Sequence, residues 1–232
     1  MANFVIDLAP LKKSRDFSLL WAAGLISYFG SMITYVAVPF QVKELTGSYV
    51  AVAISGLVEI VPLIIFGLYG GVLADALDRK KLIWVTELLS LLFTAILLIN
   101  SMMDSPSLLL IYIVSGLFAA VSGLRQPAMQ AALPRLVDHE DMTAAAALMS
   151  LRWQVGVIVG PAIGGILISS YSVAVGYAAD IATFVISIAF AIHTPSVERW
   201  IIAVVLAVSS LLMFSLENEV KLMVKRLVGY RF

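Results

Sequence analysis

The sequence predicts an all-α polytopic membrane protein: a six-helix bundle followed by one more apolar helix near the C-terminus. Three observations carry this reading. The chain of 232 residues is 61% hydrophobic and 13% charged, whereas a water-soluble domain carries about 25% charged residues. Mean hydropathy is +1.01, and the apolar residues gather into runs near the roughly 20 residues that cross a bilayer. The bases fall almost entirely on one side of that layout, as the positive-inside rule requires. Net charge is zero, so nothing points to nucleic acid as a partner. There is no cysteine, which excludes disulfides and thiol chemistry.

Residues 1–16 form a short amphipathic lead, held in the cytoplasm by Lys12, Lys13 and Arg15. The first apolar run, residues 17–40, is too long for a signal-peptide core, and no small-residue cleavage site follows it. It is therefore a retained span, with Gly24 and Gly30 inside and Pro39 near its outer end. Residues 41–48 make an outer loop, with Thr46-Gly47-Ser48 as the turn signal. The second span covers residues 49–73 and leads into a hydrophilic turn over residues 70–81. Arg79, Lys80 and Lys81 beside a membrane helix place that turn inside, and the other segments are oriented from it.

The third span is residues 82–99, and an outer loop with Asp104 and Pro106 follows over residues 100–107. The fourth span is residues 108–124. Residues 125–141 are the longest polar stretch, with Pro127, Pro134, Arg135, Asp138, Glu140 and Asp141. The fifth span is residues 142–168, with Arg152 a third of the way in. A tight outer turn over residues 169–172 precedes the sixth span, residues 173–192, which His193-Thr194-Pro195 ends. The bundle thus covers residues 17–195, and residues 196–232 are an extra apolar segment with a basic tail. Within that tail, residues 200–216 either cross the membrane or lie at its inner interface. Crossing would put Lys221, Lys225, Arg226 and Arg231 outside, against the charge rule.

Ionisable residues within apolar runs are costly in a bilayer and are functional candidates for that reason. Glu59 lies in the middle of the second span and Asp180 in the outer half of the sixth. Glu59 is read as a coupling or substrate group, or as a carboxylate satisfied by a bundle hydrogen bond. Asp180 has the same reading, with capping of the outer helix end as the alternative. Glu87 and Arg152 are close enough to the inner interface to snorkel there, and that reading is favoured for both. Gly156, Gly160 and Gly164 recur every four residues, with Pro161 and Gly165 alongside. They draw a groove in which another backbone can approach closely. In the polar turn, Asp75 and Asp78 with Arg79 and Lys80 either set topology alone or form a contact that makes and breaks between two arrangements of the bundle. No metal is expected, since His139 and His193 are isolated. No cofactor and no enzymatic activity are expected either: no phosphate-binding loop and no nucleophile turn is present.

The turn Gly71-Val72-Leu73-Ala74-Asp75, followed by Asp78-Arg79-Lys80, resembles the loop between helices 2 and 3 of the major facilitator superfamily. Ala76 and Asp78 depart from the Arg and Gly usual there. The string Gly156 to Gly165 resembles the G-x-x-x-G-P-x-x-G-G motif of helix 5 in the superfamily's exporters. Phe17-Ser18-Leu19-Leu20-Trp21, Ala37-Val38-Pro39, Leu45-Thr46-Gly47-Ser48, Leu133-Pro134-Arg135-Leu136-Val137 and Asp180-Ile181-Ala182-Thr183-Phe184 are similar to the enterobactin-exporter and macrolide-efflux branch. The fourth span lacks the Arg that drug/proton antiporters often carry, Tyr112 standing four residues before Gly116. The resemblance implies the N-terminal half of an exporter of the inner or plasma membrane, driven by a proton gradient, for a small amphipathic molecule such as a drug or siderophore. Its partners are then the lipid bilayer, the small-molecule substrate and a missing second half, supplied by a homodimer or a separate chain. The alternative is a non-transporting membrane remnant or a helix-packing or regulatory subunit.

The layout predicts that the turn over residues 70–81 faces the cytoplasm and the loop over residues 41–48 faces out. A single cysteine at Ser48 should react with a membrane-impermeant thiol reagent on intact cells, and one at Asp78 should not. The reverse pattern would invert the topology.

Overall fold

The computed structural model describes residues 7–192, apart from the side chains at positions 74, 75, 80 and 190–192. His193 and the apolar run 200–216 lie outside the described residues. Among the described residues there are seven helices and no strand: α1 (Ala9–Lys13), α2 (Arg15–Thr46), α3 (Tyr49–Ala76), α4 (Arg79–Ser101), α5 (Leu108–Ala132), α6 (Met142–Ser170) and α7 (Val173–Ile192). Five of them, α2 to α6, contain stretches long and apolar enough to cross a membrane, and α7 adds a shorter apolar helix. The chain is an all-α membrane bundle.

The helix ends follow local chemistry. Ser14, Ser48 and Ser107 sit before α2, α3 and α5, and each hydroxyl accepts a hydrogen bond from a backbone N–H of the first turn. Gly47 closes α2 in the left-handed region at φ 63°, its N–H returning to the Lys43 carbonyl. Asn100 clamps the α4–α5 connection by accepting from the Ser107 N–H at 2.9 Å. The helices run past their apolar cores, so the loops are shorter than hydropathy suggests. The hydrophilic turn over residues 70–81 is almost all helix, with Leu77 and Asp78 joining α3 to α4. The polar stretch 125–141 is not a loop either. Its first residues complete α5 with Pro127 inside the helix, and two short 3-10 turns, Leu133–Arg135 and His139–Asp141, lead into α6.

Small residues decide which helices meet. A Cβ on Gly123 would stand 2.6 Å from the Leu63 carbonyl oxygen, and one on Gly70 would stand 3.1 Å from the Leu124 Cα. Thus α3 and α5 touch backbone to backbone. The glycine face of α6 packs against α2. Cβ atoms at Gly156, Gly160 and Gly164 would stand 2.3 Å from the Tyr28 ring, 2.5 Å from Met32 Cβ and 3.1 Å from Ile33 Cα. The glycine spacing predicts a close backbone approach without naming the helix that makes it. The groove's partner is the first span of the same chain, and Gly165 alone of the four glycines faces open space.

The main core gathers Val38, Leu91, Leu97, Ile111, Tyr177 and Phe184 from α2, α4, α5 and α7. A smaller one at the other end joins Phe17 to Leu133, Ala145 and Leu148, with the Trp21 indole donating to the Leu148 carbonyl at 2.9 Å. Lys13 of α1 pairs with Asp141 at 2.9 Å, and the hydrogen bond and charge of that carboxylate hold its ammonium above the usual lysine pKa. By contrast α3 buries only Ser55 and Gly70 among its described side chains, leaving Leu57, Ile60, Val61, Ile64 and Leu68 exposed.

Gly160→Leu is expected to lower the thermal stability of the purified protein in detergent by about 1–3 kcal/mol, the cost of forcing atoms into a filled contact. Gly165→Leu should leave it unchanged. Equal losses from both would mean that α6 does not meet α2 through its Gly160 face.

Candidate functional site

The interior of this apolar bundle holds polar side chains in two layers. Each layer is set by a seven-residue spacing on three helices. Ser27 and Thr34 lie on α2, Glu87 and Thr94 on α4, and Asp180 and Ser187 on α7; all six are buried. Seven residues are about two helical turns, or roughly 10 Å along the axis. Because α7 runs against α2 and α4, Ser187 shares a level with Ser27 and Glu87, and Asp180 shares one with Thr34 and Thr94.

The first layer is an ion pair. Arg125 of α5 donates from Nη1 to Glu87 Oε2 at 2.6 Å, with side chains 12% and 5% exposed. Ser187 donates to the other carboxylate oxygen at 2.8 Å, and the Ser27 hydroxyl lies 3.5 Å from Arg125 Nη1. A buried pair of this kind holds only with good geometry and satisfied remaining lone pairs, and both conditions are met at Glu87. Arg152 reaches the same level from α6. Its guanidinium lies over Gly24, where a Cβ would stand 2.1 Å from Nη1, so the absent side chain makes the room. Its Nε and Nη1 are enclosed and have no hydrogen-bond partner among the described residues. The snorkelling expected of Glu87 and Arg152 does not occur, since both turn into the bundle.

The second layer is centred on Asp180, which is fully buried. Thr34 and Thr94 both donate to its Oδ2, from α2 and α4, while Oδ1 has no partner among the described residues. A Cβ at Gly30 would stand 2.6 Å from Oδ1. Asp180 therefore joins three helices in mid-bundle and does not cap a helix end. Tyr177, one turn away on α7, donates to Gln41 Oε1 at 2.8 Å.

Glu59 stands apart from both layers. It borders a cavity of about 670 Å³ between α2, α3, α5 and α6, whose walls also include Tyr28, Phe118, Trp153 and Pro161. No described residue donates a hydrogen bond to it, so the satisfied-carboxylate alternative fails among the described residues. The Glu87–Arg125 layer borders a smaller niche that shares Tyr28, Arg125 and Gln126 with the large cavity. At the α3–α4 junction, Arg79 Nη1 donates to the Ala131 carbonyl at 3.0 Å, tying the junction to the end of α5. The Asp75 and Lys80 side chains lie outside those described, while Gly71 faces open space. The structure thus separates the candidates into a helix junction, a packing face, an interior charge cluster with Arg152 and Asp180, and the cavity wall with Glu59. Sequence reasoning missed Arg125, because it ended the fourth span at residue 124 and left this residue in a loop. The seven-residue repeat of hydroxyl and carboxyl residues marks one face of α2, α4 and α7 and so signals the two layers, but Arg125 on α5 lies outside it.

The comparisons with known proteins agree with this architecture. A family model described as transmembrane secretion effector matches residues 6–209. The enterobactin exporter EntS of Salmonella choleraesuis (strain SC-B67) is 34% identical over 178 residues, which cover 75% of this chain and 42% of that protein. Its counterparts in Shigella boydii serotype 18 and Escherichia coli O1:K1 are 33% and 32% identical over the same shares. The chain thus spans about two fifths of the length of the curated relatives it matches. On these matches the chain belongs to the transmembrane secretion effector family of major facilitator transporters, and its bundle corresponds to the N-terminal half of such a transporter.

Proposed function

We propose that this chain forms one six-helix half of an exporter that moves small amphipathic molecules, siderophores or drugs, out across the cell membrane on a proton gradient. The observation that carries the reading is the 670 Å³ cavity, whose wall is apolar and aromatic except for a few polar groups, Glu59 and Arg125 among them. Binding sites for small amphipathic molecules have this make-up. The relatives named as enterobactin exporters support export of a siderophore-like solute. The exposed apolar side chains of α3, and Ile158 and Ile166 on α6, offer a face for a second half from another copy or another chain. In transporters of this architecture the site lies between two halves that rock about it.

Glu59 and Asp180 are the carboxylates proposed to exchange the driving proton. Glu59 borders the cavity, and Asp180 links α2, α4 and α7. A carboxylate whose protonation differs between two arrangements lets the gradient bias their populations. Arg152, the third candidate, is assigned to substrate contact.

The test is reconstitution in liposomes with an imposed pH gradient and a panel of dyes and siderophores. The chain as a monomer is expected to export nothing, and export is expected once a second half is supplied. In that complete form Glu59→Gln should reduce gradient-driven efflux by roughly tenfold or more while expression is unchanged, as loss of an intramembrane coupling carboxylate requires. Normal efflux with Glu59→Gln but not with Asp180→Asn would move the coupling role to α7. Normal efflux with both would remove it from this half, and gradient-dependent efflux by a proven monomer would overturn the half-transporter reading.

A further inference from the structure

We infer that the niche between Arg125 and Arg152 is an anion subsite. It takes the carboxylate, or a like acidic group, of a solute whose apolar body lies in the adjoining cavity. This rests on the reading that the large cavity receives small amphipathic molecules. Four observations lead to it. The niche holds two guanidinium groups and one carboxylate, so one positive charge is left over. Glu87 is committed to Arg125 and Ser187, which leaves Arg152 as the niche's cation without a partner among the described residues. Arg152 presents Nε and Nη1, which lie on different edges of the planar guanidinium, with no acceptor for either among the described residues. Each of these N–H groups can donate a charge-assisted hydrogen bond to an oxygen of an acid group. The niche has a volume of about 30 Å³, room for one or two oxygen-sized atoms.

The niche also opens in the required direction. Tyr28, Arg125 and Gln126 border both spaces, so an acid placed at Arg152 can extend an aromatic or aliphatic body past Tyr28 toward Phe118 and Trp153. An unpaired cation inside a membrane bundle is costly to keep. An incoming acid group offsets that cost, and a neutral amide of the same shape does not. The subsite therefore selects for acidic amphipathic solutes over neutral ones.

Equilibrium dialysis of radiolabelled benzoate against the full-length purified chain in a non-ionic detergent, at fixed chloride, tests this directly, with benzamide as the neutral isostere. Benzoate is expected to bind saturably and at least tenfold more tightly than benzamide. Arg152→Gln should abolish that preference, and Arg152→Lys should keep part of it. If Arg152→Gln does not fold, Gly24→Ala decides the matter, because its methyl group displaces the guanidinium tip while favouring helix. It too should lose benzoate preference with an unchanged melting temperature. Equal binding of benzoate and benzamide, or wild-type benzoate binding by the folded variants, would overturn the subsite. So would absence of benzoate binding together with binding of dihexanoyl phosphatidylglycerol, which would assign the niche to lipid headgroups. Failure of export in liposomes with benzoate preference intact would count against the transport reading and not against this site.

Discussion

A charge inside an apolar bundle has no water to turn to, and that constraint organises this molecule. Glu87 and Arg125 neutralise each other across α4 and α5, and Ser187 of α7 takes the remaining carboxylate oxygen. Once those contacts are set, the register of three helices is set as well. Asp180 repeats the device two turns away with Thr34 and Thr94, drawing α2 into the same frame. Lipid tails are as apolar as leucine, so hydrophobic burial does little to choose one helix arrangement over another. Buried hydrogen bonds and close backbone contacts make the choice instead.

The close contacts divide the bundle into two parts. Gly116, Gly123 and Gly70 bring α3 and α5 together, while Gly156, Gly160 and Gly164 bring α6 onto α2. The large cavity lies between these pairs. Its position follows from the packing, because helices that meet through glycines on one side leave space on the other. The charge cluster lies at the edge of that space. Arg125 belongs to both, with one nitrogen on Glu87 and its side chain bordering the cavity. A solute or a proton that changes the charge there acts on the same contacts that hold α4, α5 and α7 in register.

Much of this was legible in the sequence, for physical reasons. Apolar runs and the placement of bases reveal spans, since lipid and water impose those patterns on any chain. Glu59 and Asp180 stood out because acids are rare in such runs. The glycine spacing at residues 156–164 announced a close approach, but a glycine face says only that a backbone comes near and not which one. Helix ends were the weakest part. Hydropathy marks where the apolar core stops, while backbone hydrogen bonding carries α5 on through Arg125, Gln126 and Pro127. The burial of Arg125 followed from that extension, and no local pattern showed it. Arg152 misled for a related reason. A long side chain one third into a span has the reach to snorkel, and only Gly24 on the facing helix shows why it turns inward.

The central claim is that the Arg125–Glu87 pair acts as one unit in fixing the bundle. A double-mutant cycle on the purified chain measures this, using thermal or denaturant stability of Glu87→Gln, Arg125→Gln and the double variant. Each single change leaves an uncompensated buried charge, which typically costs about 3–5 kcal/mol. The double variant should be less destabilised than the sum of the two, with a coupling of about 2 kcal/mol or more. Additive losses, with no coupling, would show that the two charges are stabilised separately and would contradict the account.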